Sequence, residues 1–161
     1  MHTEDTRWLS PEELDAWLSY VAASTLLDAA LDRQLQRDAG MPLAYYQILA
    51  MLSDVPNRTL RMSDLAAMTQ SSQSRLSHAV ARLEANGWVR RMPCPGDRRS
   101  TLATLTDAGF EALAAAAPGH VATVRDHVFD HLTCEQIRQL KEIFRAVLDG
   151  LAEHHKPPVA T

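Results

Sequence analysis

The sequence predicts a mainly α-helical chain with one small β-hairpin, and two observations predict it. Long apolar stripes at helical spacing open and close the chain, over residues 14–29 and 137–151. Between them, shorter helical segments separated by turn residues lead into a strand, a Pro/Gly-rich tip and a second strand over residues 88–105. The composition suits a folded chain of this kind: 46% of the 161 residues are apolar and 22% are charged.

The elements follow in order. Ser10 can cap a helix, Pro11 suits its first position and Glu13 can close a capping box. Leu14, Trp17, Leu18, Val21, Ala22, Thr25, Leu26 and Ala29 then mark one face, and the helix is expected to reach about residue 38 and stop near Gly40. So long a stripe needs a surface to cover it, and a second chain is one candidate. A second helix runs from Met41 and Pro42 through Leu52, a turn spans residues 54–57, and Leu60 sits in a short strand. Residues 62–68 read as a third helix with Leu65, Ala66 and Met68 apolar. Thr69, Gln70, Ser71 and Ser72 carry turn and cap chemistry.

A fourth helix covers residues 72–86, its inward face Leu76, Ala79, Val80 and Leu83, with Gly87 as the stop. The hairpin follows: a strand at 88–92, a tip at 93–97 and a returning strand at 100–105. Thr106 caps a long helix expected to reach about Leu132, with a bend near Pro118 and Gly119. Thr133 and Gln136 form another capping box. It opens a last helix bearing Ile137, Leu140, Ile143, Phe144, Val147, Leu148 and Leu151. The tail from Lys156 is expected to fray. No run of eighteen apolar residues exists and the acidic N-terminus has no apolar signal core, so a cytoplasmic protein is expected. Two cysteines, Cys94 and Cys134, make no disulfide framework.

The net charge of −4 argues at first against nucleic acid, but its distribution argues for it. Residues 58–100 hold eight arginines (58, 61, 75, 82, 90, 91, 98 and 99) against Asp64, Glu84 and Asp97, a net of +5 that leaves −9 for the rest. Guanidinium is a planar, forked donor suited to phosphate and guanine. A basic face on an acidic body can bind DNA while the body orients it. The other reading of the same charge is a solvated basic surface.

The order helix, turn, helix, strand, basic hairpin is that of a winged helix-turn-helix, whose second helix enters the major groove N-terminus first. The fourth helix offers Ser72, Gln73, Ser74, Arg75, Ser77 and His78 in its first turns, with Arg82 two turns on for backbone phosphate. Ser74 and Ser77 can instead bond backbone, and His78 can pack on a neighbouring helix. At the tip, Arg98 and Arg99 can reach a narrow minor groove. Residues 58–105 are thus the expected DNA-contacting region.

The stretch from Asp97, DRRSTLATLTDAG, resembles the D-x-R-x3-V-x-L-T-x2-G pattern of the MarR family of bacterial regulators at Asp97, Arg99, Leu105, Thr106 and Gly109, with Ala103 in place of Val. Leu65, Ala66 and the run SQSRLSHAVARLEANGWVRR from Ser72 match the family's upstream pattern without a gap. The resemblance covers about residues 10–152, is strongest over 60–110, and suits a member of the actinobacterial type. One departure stands out: Thr69, Gln70 and Ser71 replace the family's apolar-Gly-apolar turn, which bears on where the recognition helix starts.

The resemblance implies a homodimer in which N- and C-terminal helices of two chains interleave, and double-stranded DNA as the partner. It implies an operator of two related half-sites, bound by a regulator that is most often a ligand-responsive repressor. It also implies that Asp97 braces the wing by pairing with arginine and that Arg98 or Arg99 reaches the minor groove. Residues 1–40 are then an N-terminal dimerisation helix, 41–105 the DNA-binding domain and 106–161 the C-terminal dimerisation helices.

Small aromatic effectors of the family bind between these parts. Trp17, Tyr20, Tyr45 and Tyr46 are the candidates, with plain core or dimer interface as the alternative use. His127, His131 and Cys134 stand four and three apart, but the cap at Thr133 turns the chain before Cys134, so no metal or other cofactor is expected. No G-x-S-x-G, H-E-x-x-H, Cys-x-x-Cys or phosphate-cradling Gly loop is present, so an enzyme is not expected. The competing function is a helical dimer that serves as a protein-interaction module without operator binding.

Overall fold

The computed structural model describes residues 6–69 and 71–154, the side chains of Arg98, Glu153 and His154 excepted. Helix α1 spans Pro11–Ala39. Its start is the capping box the sequence predicts: Ser10 Oγ accepts from the Glu13 amide at 3.2 Å and Glu13 Oε2 accepts from the Ser10 amide at 2.7 Å. Its end is Gly40, whose φ of 62° only glycine adopts without strain. Only its last third is covered by its own unit, with Leu31, Gln34 and Leu35 buried. Helix α2, Leu43–Ser53, packs on that part and buries Leu43, Tyr46, Ile48, Leu49 and Leu52. Asp32 on α1 pins its start by accepting the Leu43 amide at 2.8 Å.

A 3-10 turn at Pro56–Arg58 leads to strand β1, Thr59–Arg61. Helix α3, Met62–Thr69, buries Leu65 and Ala66. Helix α4, Gln73–Ala85, buries Leu76, Val80 and Leu83, while Ala79 is half-buried. Strands β2, Val89–Cys94, and β3, Asp97–Leu105, form the hairpin. The sheet is antiparallel in the order β1-β3-β2, with Leu60 opposite Ala103 and Val89 opposite Leu105. The hairpin strands run further toward the tip than residues 92 and 100, leaving only Pro95 and Gly96 to turn, and the register shifts between Pro93 and Cys94. Leu35, Leu49, Leu52, Leu65, Val80, Leu83 and Ala103, all fully buried, make one core beneath α4 and the sheet.

Helix α5, Asp107–His127, passes through Pro118 as one helical span. It stops short of the expected Leu132. Val128 leaves helical geometry at φ −127° and ψ −70°, and a 3-10 turn at Phe129–His131 follows. Arg125 and Asp130 pair across that turn at 2.7 Å. Thr133 then caps helix α6, Cys134–His154, with its box closed by Gln136. His127 and His131 therefore do not share one helical face, and among the described residues no three His, Cys, Asp or Glu side chains converge to hold a metal. The chain forms two compact units divided between Thr123 and Val124. Among the described residues no helix is long and apolar enough to cross a membrane. Residues 1–5, Gln70 and the tail from 155 lie outside the description.

The base of the hairpin is a knot of short contacts. The Trp88 carbonyl accepts the Thr106 amide at 3.0 Å, Thr106 Oγ1 donates to the Gly87 carbonyl at 2.7 Å, and the Gly109 amide donates to Thr106 Oγ1 at 3.0 Å. A methyl group on Gly109 would strike the Trp88 carbonyl oxygen and lie 2.7 Å from Leu105 Cδ1. Gly109→Ala is therefore expected to destabilise the chain by roughly 1–3 kcal/mol, the usual cost of overpacking. Urea unfolding checks this, and an unchanged midpoint would mean that the hairpin base yields freely.

Candidate nucleic-acid interface

Helix α4 is presented by the turn before it. Thr69 Oγ1 donates to the Leu65 carbonyl at 2.8 Å, and the Ser71 backbone amide donates to the Ala66 carbonyl at 3.2 Å, so a threonine hydroxyl and a backbone amide close the end of α3 where an apolar turn was the family pattern. Ser72 is the N-cap, its Oγ accepting the Arg75 amide at 3.3 Å, and the helix proper begins at Gln73. The Ser72 hydroxyl is thus committed to the helix start as well as exposed.

Gln73, Ser74, Arg75, Ser77, His78 and Arg82 are all exposed. At about 100° per residue they sort around the helix. Ser74 and His78 fall opposite the buried Leu76 and Val80. Arg75 and Arg82 share one flank, and Gln73 and Ser77 share the flank toward the hairpin. A cleft of about 270 Å³ lies there, lined by Met62 and Ser63 of α3, Gln73, Leu76 and Ser77 of α4, and Arg91, Arg99, Ser100 and Thr101 of the hairpin.

Asp97 opens β3 and ties three neighbours. Its Oδ1 accepts the Arg99 amide at 3.0 Å, its Oδ2 accepts the Ser100 hydroxyl at 2.6 Å, and Arg61 Nη1 stands 3.7 Å from that same oxygen. The Ser100 hydroxyl bond, then the Arg99 amide bond and the Arg61 charge, hold its carboxyl below the usual range. Arg99 is exposed beside it, and the side chain of Arg98 lies outside the described residues.

Two features were not read from the sequence. Glu84, at the inner end of α4, accepts the Arg91 amide at 3.0 Å and grips the Arg91 guanidinium at Nε (2.9 Å) and Nη2 (2.7 Å). Those bonds, the amide first, keep the Glu84 carboxyl low. Arg58, at φ 52°, lies 4.0 Å over the Phe110 ring and pairs with Asp107 at 3.2 Å. Three of the eight arginines counted as basic surface are therefore tied to carboxylates: Arg58, Arg61 and Arg91. The only sequence signal for the Glu84 and Arg91 pair was their shared presence in the upstream family pattern.

The four aromatics do not form one cluster. Trp17 and Tyr20 stack on each other at 5.8 Å on exposed α1. Tyr46 is buried on α2 with its ring 4.3 Å from His120 of α5, while Tyr45 beside it is half-buried. A helical rise of about 1.5 Å per residue sets Tyr20 roughly 18 Å along α1 from Asp32, which anchors α2. Burial raises the Tyr46 hydroxyl and lowers the His120 imidazole from their ordinary values. Gln34 Oε1 and His120 Nδ1 are buried polar atoms without a hydrogen-bond partner.

The Asp97 shift carries a pH prediction. A depressed carboxyl keeps its bonds above the ordinary aspartate value of about 3.9 and loses them only as pH falls through the lowered one. Amide-exchange protection of Arg99, corrected for intrinsic rates, is expected to stay flat down to about pH 5 and then decay with a midpoint below 3.9. Asp97→Ala should remove the protection at neutral pH. A midpoint above the ordinary value would show that these bonds do not hold the wing.

Residues 39–100 match the profile of the MarR family. The chain is 35% identical over 105 residues to the HTH-type transcriptional regulator PecS of Dickeya dadantii, a match that takes in 64% of this chain and 62% of PecS. It therefore spans somewhat less than two thirds of that relative. The crystal structure of Sco3205, a MarR family transcriptional regulator from Streptomyces coelicolor in complex with DNA, is 55% identical, with 96% of this chain and 95% of that one covered at a TM-score of 0.86. AbsC, a MarR family regulator from the same organism, is 39% identical, with 92% and 99% covered at a TM-score of 0.84. With its winged helix-turn-helix in place and its likeness running nearly end to end, this chain belongs to the MarR family of transcriptional regulators.

Proposed function

We propose that this protein is a sequence-specific DNA-binding regulator, a cytoplasmic homodimer that sits on a pseudo-palindromic operator as a repressor and lets go when a small ligand binds. The observation that carries the reading is the exposed polar face of α4, Gln73 to Arg82, backed by buried Leu76, Val80 and Leu83 and flanked by a hairpin bearing Arg98 and Arg99. The similar Sco3205 structure is a complex with DNA, which supports DNA as the partner here. In this reading α4 contacts base edges through Ser72, Gln73, Ser74, Arg75, Ser77 and His78, and Arg82 contacts phosphate. Arg98 and Arg99 enter the adjacent minor groove, and Asp97 braces the wing.

The dimer reading rests on apolar surface. Leu14, Trp17, Leu18 and Leu26 on α1, and Ile143, Val147 and Leu148 on α6, are exposed in a single chain. Residues 1–40 and 106–161 then serve as the dimerisation parts around the 41–105 DNA-binding domain. Two-fold pairing presents two α4 helices to successive major grooves, about 34 Å apart.

Titration of labelled duplexes from the protein's own promoter region, followed by anisotropy, tests both parts. Preference over bulk DNA is expected at moderate salt, with a loss of at least roughly ten-fold in R98E/R99E. L148E should shift the protein toward monomer in light scattering and weaken binding in parallel. Binding no tighter than to bulk DNA, or full affinity in R98E/R99E, would leave a helical interaction module as the better account.

The ligand half rests on the buried Tyr46 and His120 pair, the unpartnered Gln34 Oε1 and His120 Nδ1 beside the α1, α2 and α5 junction, and the neighbouring Tyr45. Trp17 and Tyr20 offer a second aromatic surface. Within a panel of phenols and aromatic carboxylic acids, at least one compound should raise Tm by a few degrees and release the operator, and Tyr46→Ala should blunt both effects. A panel that moves neither quantity sets this half of the proposal aside.

A further inference from the structure

A helix in the major groove and a wing in the neighbouring minor groove lie on opposite sides of one sugar-phosphate backbone. That backbone has to pass through the space between them. In this protein the space is the cleft of about 270 Å³ between α4 and the hairpin, with the start of α3 as its floor. It has room for about nine waters at their liquid volume, more than a phosphate group needs.

The lining suits that occupant. Among the described residues no Asp or Glu lines the cleft. Among its lining residues are Arg91, Arg99, Gln73, Ser63, Ser77, Ser100 and Thr101, whose side chains can all donate hydrogen bonds. Three acids bond the lining residues: Asp97 holds the Arg99 amide and the Ser100 hydroxyl, Glu84 holds Arg91, and Asp64 accepts the Ser63 hydroxyl at 3.3 Å. Ser100 has committed its proton to Asp97 and Ser63 to Asp64, which leaves Ser77 and Thr101 as the exposed hydroxyls. Glu84 engages Arg91 through Nε and Nη2, so the guanidinium plane is fixed and Nη1 stays uncommitted among the described residues. A guanidinium fixed in this way loses little freedom when it closes on an anion.

We propose that the cleft between α4 and the hairpin seats one phosphodiester of the DNA backbone in each half-site, with Arg91 as its principal donor and Glu84 as the residue that positions Arg91. The proposal rests on the DNA-binding reading above. It adds Arg91 and Thr101 to the contact surface and gives the helix and the wing a shared anchor. Because Glu84 offsets the Arg91 charge, the contact acts as a directed hydrogen bond at one linkage more than as a gain in long-range attraction.

The test uses the full-length protein and operator duplexes that each carry a single neutral methylphosphonate linkage, moved one position at a time along each strand. In the wild type, one linkage per half-site, between the major-groove and minor-groove contacts, should weaken binding roughly ten-fold, the scale of one charged hydrogen bond. Arg91→Gln should lose a similar factor on unmodified DNA and show no further loss at that linkage. The double variant E84Q/R91Q, which leaves no stranded carboxylate, should behave the same way.

A purely structural role for Arg91 would lower affinity while leaving the linkage penalty intact, and that additive outcome would overturn the proposal. Unmodified operator is the control: if the wild type does not prefer it to bulk DNA, the failure lies with the DNA-binding reading itself.

Discussion

The winged helix-turn-helix of this protein depends on one junction, where the end of α4, the root of the hairpin and the start of α5 meet at Trp88 and Thr106. A single threonine hydroxyl works in both directions there, donating to the Gly87 carbonyl and accepting from the Gly109 amide. The Trp88 carbonyl takes the Thr106 amide, and the Trp88 amide in turn reaches back to the Leu83 carbonyl. Three segments with different periodicities are thereby held by backbone groups that would otherwise be unsatisfied at their ends. The end of α4 and the root of the hairpin are joined to each other and to α5 here. The fit also explains why the chain has glycine at 109: there is no room for a methyl group above the Trp88 carbonyl.

The arginines divide into two kinds. Arg58, Arg61 and Arg91 are joined to Asp107, Asp97 and Glu84, and each pair links two different elements: the 3-10 turn to α5, the first strand to the wing, and α4 to the hairpin. All three pairs are partly exposed, so their direct contribution to stability is small. Their use is orientation. Among the described side chains, Arg75, Arg82, Arg90 and Arg99 form no such pair and remain as outward charge. The basic segment therefore holds both arginines that tie elements together and arginines that face outward, which a charge count along the chain does not separate.

Local signals were the legible part. Ser10 with Glu13, Thr133 with Gln136, and Thr106 each cap a helix by bonds within four residues, and such bonds are written in the sequence directly. The face of α4 was legible for the same reason, since Leu76, Val80 and Leu83 are spaced by the helix alone. The end of α5 was not. Apolar Val128 and Leu132 continue its period, and the break is made by the 3-10 turn that Arg125 and Asp130 clasp. Pairings across segments were equally hidden: nothing local connects Glu84 to Arg91, or Arg58 to Phe110. Neighbouring positions on α1 and α2 likewise suggested one aromatic group where the fold makes two.

The small sheet has one further property. A sheet of three strands has two open sides, and each is an invitation for another chain to add a strand. Here the β1 side is only three residues long, from Thr59 to Arg61. The β2 side carries Arg90 and Arg91, then Pro93, which has no N–H to offer, and then an irregularity at Cys94. Both borders are thus too short, too charged or too interrupted to template a growing ribbon. Many copies of such a protein can crowd together with their hairpins extended and still not stitch themselves together into fibres.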